Sequence, residues 1–422
     1  MISLKQLRKN SEEYGLRISS KGEYINISNI LSLDEKVRSL KHQANEIRSE
    51  RNSASEAIGL AKQKNEDASE AIDKTRELGH ILKNIDSNLN HVENELNEVL
   101  YTIPNPPHYS VPEGKNESSN AIIREWGGKP EFAYPLKNHT ELGEKLHLFD
   151  FQRGSKLSGS GFPLYTNKGA QLERQLINAM IMHHVSKFDF IEIIPPVLMK
   201  KESMITTGQL PKFEEDMYHT EIDNLYLAPT AEVPVTNIHR DEILKESDLP
   251  IKYVAYTPCF RREAGSYGKD TRGLLRVHQF NKVELVKFTT SESSYDELES
   301  LTTQAESILQ ILGLHYRVVA LCTGDLSFAA AKCYDLEIWA PGEEKWLEVS
   351  SCSNFENFQS RRGNIRYRKD SDKKIDFVHT LNGSGLATPR LVVALIETYQ
   401  TSSGTIQFPE PVADFLGIEG IK

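Results

Sequence analysis

The chain has 422 residues, 38% of them hydrophobic and 26% charged, with a formal net charge of −10. It is long enough to bury one large core and leave a second, smaller domain, and its composition excludes a disordered chain. No apolar run approaches the roughly 18 residues of a membrane helix, and the acidic excess excludes a broad polyanion-binding surface, so any nucleic-acid contact must be local.

The first ten residues, Met1 to Asn10, are basic but lack the apolar core of a signal peptide, so a cytoplasmic location is expected. From Leu33 the apolar positions run Leu33, Val37, Leu40, Ala44, Ile47, Ala54, Ile58 and Ala61, with Arg51 in the seam. Steps of three and four are a coiled-coil heptad. After the polar break at Lys64 to Asp67 a second series follows, Ala68, Ala71, Thr75, Leu78, Leu82, Ile85, Leu89, Val92, Leu96 and Val99. Two heptad helices joined by a short link have only each other to bury against, which predicts an antiparallel hairpin, about 50 Å long at 1.5 Å per residue.

Such a hairpin alone fits a spacer or an oligomerisation element as well as a recognition arm. Its first helix carries Lys36, Arg38, Lys41, Arg48, Arg51 and Lys62, while the second is richer in acids. One edge can therefore be basic although the whole is not, and Arg38, Lys41, Arg48 and Lys62 are the candidates for local phosphate contacts.

The prolines of Ile103 to His108 end the second helix and mark a domain boundary, dividing the chain into 1–108 and 109–422. Beyond it, short β-branched runs mix with amphipathic helices, an α+β pattern. Cys259, Cys322, Cys333 and Cys352 form no C-x-x-C pair and read as buried thiols. Within Thr257 to Phe280 lie a strand ending in Phe260-Arg261-Arg262-Glu263, a polar Gly-rich loop, and Leu274 to Phe280 read as a second strand. An arginine there can hold a carboxylate and a phosphate oxygen together.

The order F-R-x-E, long loop, R-x-H-Q-F resembles motif 2 of class II aminoacyl-tRNA synthetases. Gly169 to Phe188, with the expected strand Phe190 to Ile194, is similar to motif 1 (169–196), the dimer interface of that class. Asn382 to Arg390 with the helix from Leu391 is similar to motif 3 (382–400). Strings such as Thr207-Gly208-Gln209-Leu210-Pro211, Pro229-Thr230-Ala231-Glu232, Thr323-Gly324-Asp325, Glu348 to Asn354 and His379 to Ser384 resemble the seryl-tRNA synthetases of bacterial type over nearly the whole chain. Arg262 and Thr388-Pro389 depart from the usual residues there, without replacing a charged group that the chemistry needs.

The resemblance implies an α+β fold, an antiparallel class II sheet flanked by helices, behind an N-terminal two-helix arm. It implies a homodimer that uses ATP and Mg²⁺ to ligate L-serine to tRNA(Ser) through a seryl-adenylate, with no membrane or DNA partner. Relatives of bacterial type also serylate tRNA(Sec) where a cell makes selenocysteine. Arg261 would bridge the serine carboxylate and the α-phosphate, and Arg390 would cover adenine and reach the γ-phosphate. Arg262, Glu263, Val277, Phe280, Glu348, Val349, Ser350 and Ser351 complete the implied ATP set. Glu263 would accept from the adenine amino group and Phe280 would stack on the ring, while Glu348 and Ser351 would offer oxygens to magnesium.

For serine the implied set is Thr230, Ala231, Glu232, Arg261, Glu284, Asn382 and Ser384, with Glu284 accepting from the hydroxyl. Glu284 sits among apolar residues, where a carboxylate is costly unless paired. Strand alternation is taken to turn Lys282 and Lys287 to the opposite face, leaving the carboxylate for substrate.

Overall fold

The structure, a computed structural model, describes residues 1–262 and 272–422. It divides into two compact units at Pro104, with Met1 and Ser20–Gly22 belonging to the larger one.

In the smaller unit, short helices α1 (Leu4–Lys9) and α2 (Ser11–Ser19) precede α3 (Ile27–Gln63) and α4 (Ser69–Tyr101). The Asn26 side chain caps α3 by accepting from the Asn29 amide. Leu33, Val37 and Ala44 of α3, and Leu78, Leu82, Leu89, Val92 and Leu96 of α4, are buried, so the heptad seam forms as the periodicity requires. Lys41 pairs with Glu93 at 2.7 Å and Arg48 with Asp86 at 2.7 Å. The higher-numbered residue on one helix meets the lower on the other, so the helices run antiparallel.

The larger unit is built on one eight-stranded sheet. In chain order its elements are β1 (Ala121–Trp126), α5 (His139–Lys145), α6 (Asn167–Phe188) and β2 (Ile191–Ile193). A short helix α7 (Glu232–Thr236) leads to β3 (Ile251–Phe260), β4 (Gln279–Thr289) and α8 (Ser294–Ile311). Then come β5 (Tyr316–Ala320), β6 (Lys332–Ala340), β7 (Lys345–Asn354), α9 (Phe358–Gly363), β8 (His379–Ala387) and α10 (Thr388–Thr398).

The spatial order is β1-β5-β6-β7-β8-β4-β3-β2, antiparallel throughout except for the β2–β3 edge. Helices α6, α8 and α10 bury Leu172, Leu176, Leu301, Ile308, Leu391 and Leu395 in one cluster with the sheet residues Leu285, Val318 and Leu336. An amphipathic helix gains stability mainly from such packing. The expected second strand at Leu274 is corrected by the structure. Residues 272–278 form turns and bends and β4 begins at Gln279, because the amides of Leu274, Leu275 and His278 are taken by His139 Nε2 and by the Arg272 and Gly161 carbonyls rather than by β3.

Candidate active site

β4 and β8 lie side by side at the centre of the sheet, with Glu284 opposite Ser384. Around them opens a cavity of about 630 Å³ lined by Thr230, Glu232, Arg261, Val277, Phe280, Glu284, Glu348, Val349, Ser351, Asn382, Ser384 and Arg390, among others. Residues far apart in sequence meet there because the central strands of a sheet gather segments from distant parts of a chain.

Glu284, 1% exposed, forms the floor. Asn382 Nδ2 donates to its Oε1 at 3.0 Å and Thr230 Oγ1 donates to its Oε2 at 3.2 Å. Lys282 Nζ stands 2.6 Å from Oε2. This corrects the expectation that Lys282 faces away. Residues two apart on a strand share a face, so Lys282 and Glu284 form a buried pair, whereas Lys287 does lie on the other face, with Glu297.

Glu232, beside it on α7, accepts from Gln359 Nε2 at 2.6 Å. Burial first, and then repulsion from Glu284, push its carboxyl up to about 7. Above the two acids, Arg261 donates from Nε to the Pro229 carbonyl at 3.2 Å and lies 5.2 Å from the Phe280 ring centroid, a cation–π distance.

On the far side of the cavity, β7 carries an irregularity. Glu337 pairs with Glu348 but the preceding Leu336 pairs with Ser350, so Val349 is an extra residue, a β-bulge. Residues 348 and 351 would otherwise point to opposite faces; the bulge brings both side chains to the cavity. Asp335, paired with Ser351 across the strands, is held well above the usual carboxylate range by burial and by the neighbouring Glu348. Arg390 donates from Nε to the Leu275 carbonyl at 3.1 Å and from Nη1 to the Glu348 carbonyl at 3.0 Å.

Three implied residues do not line the cavity. Ala231 is buried in a separate apolar cluster. Ser350 turns its hydroxyl away to the Ser384 carbonyl at 2.7 Å, and Arg262 lies over the Tyr218 ring at 5.7 Å. Glu263 lies outside the described residues. Of the arm residues, Arg38 pairs with Asp34 at 3.1 Å, Lys41 and Arg48 with acids of α4, and Lys62 is exposed.

Sequence reasoning set Lys282 aside by misapplied alternation and missed Gln359 and Asp335. Those two are polar residues among largely buried neighbours, so a signal was present, but their partners could not be seen.

A model of the class II tRNA synthetase core domain (G, H, P, S and T) matches residues 213–399, and one of the seryl-tRNA synthetase N-terminal domain matches residues 1–107. The serine–tRNA ligase of Geobacter sulfurreducens is 51% identical over 417 residues, covering 99% of each chain. That of Caldicellulosiruptor saccharolyticus is 51% identical over 422 residues, covering both chains entirely. Among solved structures, seryl-tRNA synthetase from Pyrococcus horikoshii complexed with ATP superposes with a TM-score of 0.89 at 36% identity, over 100% of this chain and 99% of that one. The cytoplasmic serine–tRNA ligase from Naegleria fowleri in complex with AMP gives 0.84 at 28% identity, over 98% and 96%.

Proposed function

Because the chain belongs to the seryl-tRNA synthetase family, we propose that its cavity assembles a seryl-adenylate and passes the seryl group to tRNA(Ser). The protein is an ATP-dependent serine–tRNA ligase; the steps and the residue roles are our reading. The carrying observation is a buried carboxylate, Glu284, with three partners already in place and room in the cavity for a fourth donor. A serine hydroxyl is such a donor.

In this reading Glu232 takes the ammonium, while Arg261 holds the carboxylate against the α-phosphate of ATP, so that the carboxylate attacks phosphorus and pyrophosphate leaves. A hydroxyl of the terminal ribose of the tRNA then attacks the acyl carbon, the bond from that carbon to the phosphate oxygen breaks, AMP leaves, and the hydroxyl proton passes to solvent. No protein nucleophile is needed, since positioning and electrostatic stabilisation suffice for phosphoryl transfer.

Magnesium, which the family implies, would meet a fitting donor set in Glu348 and Ser351. Both are hard oxygen donors lining the cavity, and Asp335 pairs with Ser351 across the strands behind them. The ion would neutralise phosphate charge there.

Residues 1–108 form the tRNA-binding domain in this reading and 109–422 the catalytic one, with Arg38, Lys41, Arg48 and Lys62 contacting tRNA phosphates. A second copy of the chain is the expected partner. The short edge strand β2 leaves Ile191 58% exposed, Ile194 beyond it is 85% exposed and Met182 of α6 is 53% exposed, an apolar edge that monomers rarely leave open. No described helix is long and apolar enough to cross a membrane; cytoplasmic residence and serylation of tRNA(Sec) belong to the same proposal. Pyrophosphate exchange measured across all twenty amino acids tests the reading, which fails if serine does not support it.

A further inference from the structure

Outside the cavity lies a buried group of three titratable residues, His139 on α5, Glu343 in the β6–β7 turn and Glu397 on α10, whose ligand atoms all lie within 4.8 Å of one another. A metal ion does not suit it. The Leu274 amide donates to His139 Nε2 at 3.1 Å, so Nε2 supplies its lone pair to a proton and Nδ1 carries the ring hydrogen of the neutral imidazole, leaving no lone pair for a metal. Nδ1 stands 3.0 Å from Glu343 Oε1 and 3.5 Å from Glu397 Oε1, without meeting hydrogen-bond geometry to either.

The carboxylates are also engaged. Glu397 accepts from the backbone amides of His139, Gly342 and Glu343 at 2.8, 2.9 and 3.1 Å. Glu343 accepts from both sides of its carboxylate from Arg272 Nη2, at 3.1 and 2.9 Å.

What this group holds is a piece of the cavity wall, through the Leu274 amide. Leu274 and Leu275 line the cavity, and the Leu275 carbonyl receives Arg390 Nε. Arg390 in turn stands two helical turns before Glu397 on α10. The imidazole is therefore clamped between the helix that carries Arg390 and the turn that orients it. Gly273 fits this closeness, since a Cβ at that position would lie 2.1 Å from His139 Nε2.

We infer that His139 is a positioning residue for ATP, fixing the Leu274–Leu275 turn and through it the direction of the Arg390 guanidinium. This rests on the reading of Arg390 as an ATP contact. The mutants to compare are His139→Ala, His139→Asn and His139→Gln, because a glutamine carbonyl falls near the Nε2 position and keeps the acceptor for Leu274, whereas asparagine falls short.

Pyrophosphate exchange should show the KM for ATP raised on the order of ten-fold in the alanine and asparagine variants, the loss expected for one buried amide left without its acceptor. The KM for serine should stay within about two-fold, and glutamine should return the ATP value close to that of the native enzyme. Where alanine does not fold, the asparagine and glutamine pair still decides. Equal ATP values for these two, or ATP and serine values rising together with a fall in Tm, would show that His139 serves only the fold. Arg390→Ala is measured alongside: if its ATP dependence is normal the ATP reading itself is lost, and if it is impaired while the His139 variants agree, only the positioning role is lost.

Discussion

Replacing Glu284 with glutamine separates the hydroxyl-reading role of the carboxylate from its part in the fold. A carboxylate offers about four acceptor positions, and Lys282, Thr230 and Asn382 occupy three. Alanine in place of serine then leaves one position empty rather than a bare charge. A hydrogen bond to a charged group is worth about 1.5–3 kcal/mol, or roughly 10- to 150-fold in kcat/KM at 1.4 kcal/mol per decade. The larger factor of about 10⁴ belongs to sites whose polar groups are left wholly unpaired.

Glutamine keeps an acceptor but a neutral one, worth about 1 kcal/mol, so the preference for serine over alanine should fall to roughly five-fold. The same change strands the Lys282 ammonium, whose side chain is 8% exposed; breaking a buried pair costs about 3–5 kcal/mol. Urea melts should therefore show a large loss of stability in Glu284→Gln and recovery of most of it in Glu284→Gln with Lys282→Met. Exchange assays with serine and alanine on the double variant read selectivity free of the folding defect. Native discrimination against alanine in that double variant would refute the assignment of hydroxyl reading to Glu284.

Arg390→Ala should nearly abolish serine-dependent exchange in a folded protein; near-normal exchange would remove the ATP role from Arg390. Glu232, raised to about 7 in the free site, must lose its proton to hold an ammonium, so serine affinity should fall as pH drops below 7, by up to about ten-fold per unit. Titration calorimetry in two buffers at pH 7 should show about half a proton released per serine, and no release would sink the assignment. For stability the sign is opposite to that of a salt-bridged acid: the folded, ligand-free protein binds more protons than the unfolded chain between the usual carboxylate pKa and about 7, so this group destabilises it as pH rises through that window. Deleting Leu33 to Leu100 and reconnecting the chain should spare exchange, since the larger unit holds its own core, and should remove tRNA charging. Equal charging by the armless protein would make the arm a spacer.

The arm was legible because a heptad is a local, repeated signal and its burial needs no third element. The cavity was legible only where a motif string carried it. Strand alternation was the right tool for Glu284 and was misapplied to Lys282, which stands two residues away and therefore on the same face. The bulge at Val349 that turns Glu348 and Ser351 to one side has no sequence mark, because it is set by pairing with β6 rather than by local propensity. His139 was passed over for the same reason: its meaning lies in contacts with Leu274, Glu343 and Glu397, each more than a hundred residues away.

Placing two carboxylates, Glu232 and Glu284, at the floor of one cavity is costly: burial first, and then repulsion from Glu284, raise the Glu232 carboxyl. Lys282 offsets the charge of Glu284 at 2.6 Å, while Gln359 gives Glu232 only a neutral donor at 2.6 Å. The site is therefore short of one positive charge beside Glu232 and holds one at Arg261. A free amino acid has the complementary arrangement, an ammonium for Glu232 and a carboxylate for Arg261. In the proposed binding mode the ammonium would supply the positive charge that keeps Glu232 ionised beside Glu284, at the cost of the proton that the free carboxyl holds. In the same proposed mode the hydroxyl would add the selective term, through the acceptor position that Lys282, Thr230 and Asn382 leave open on Glu284.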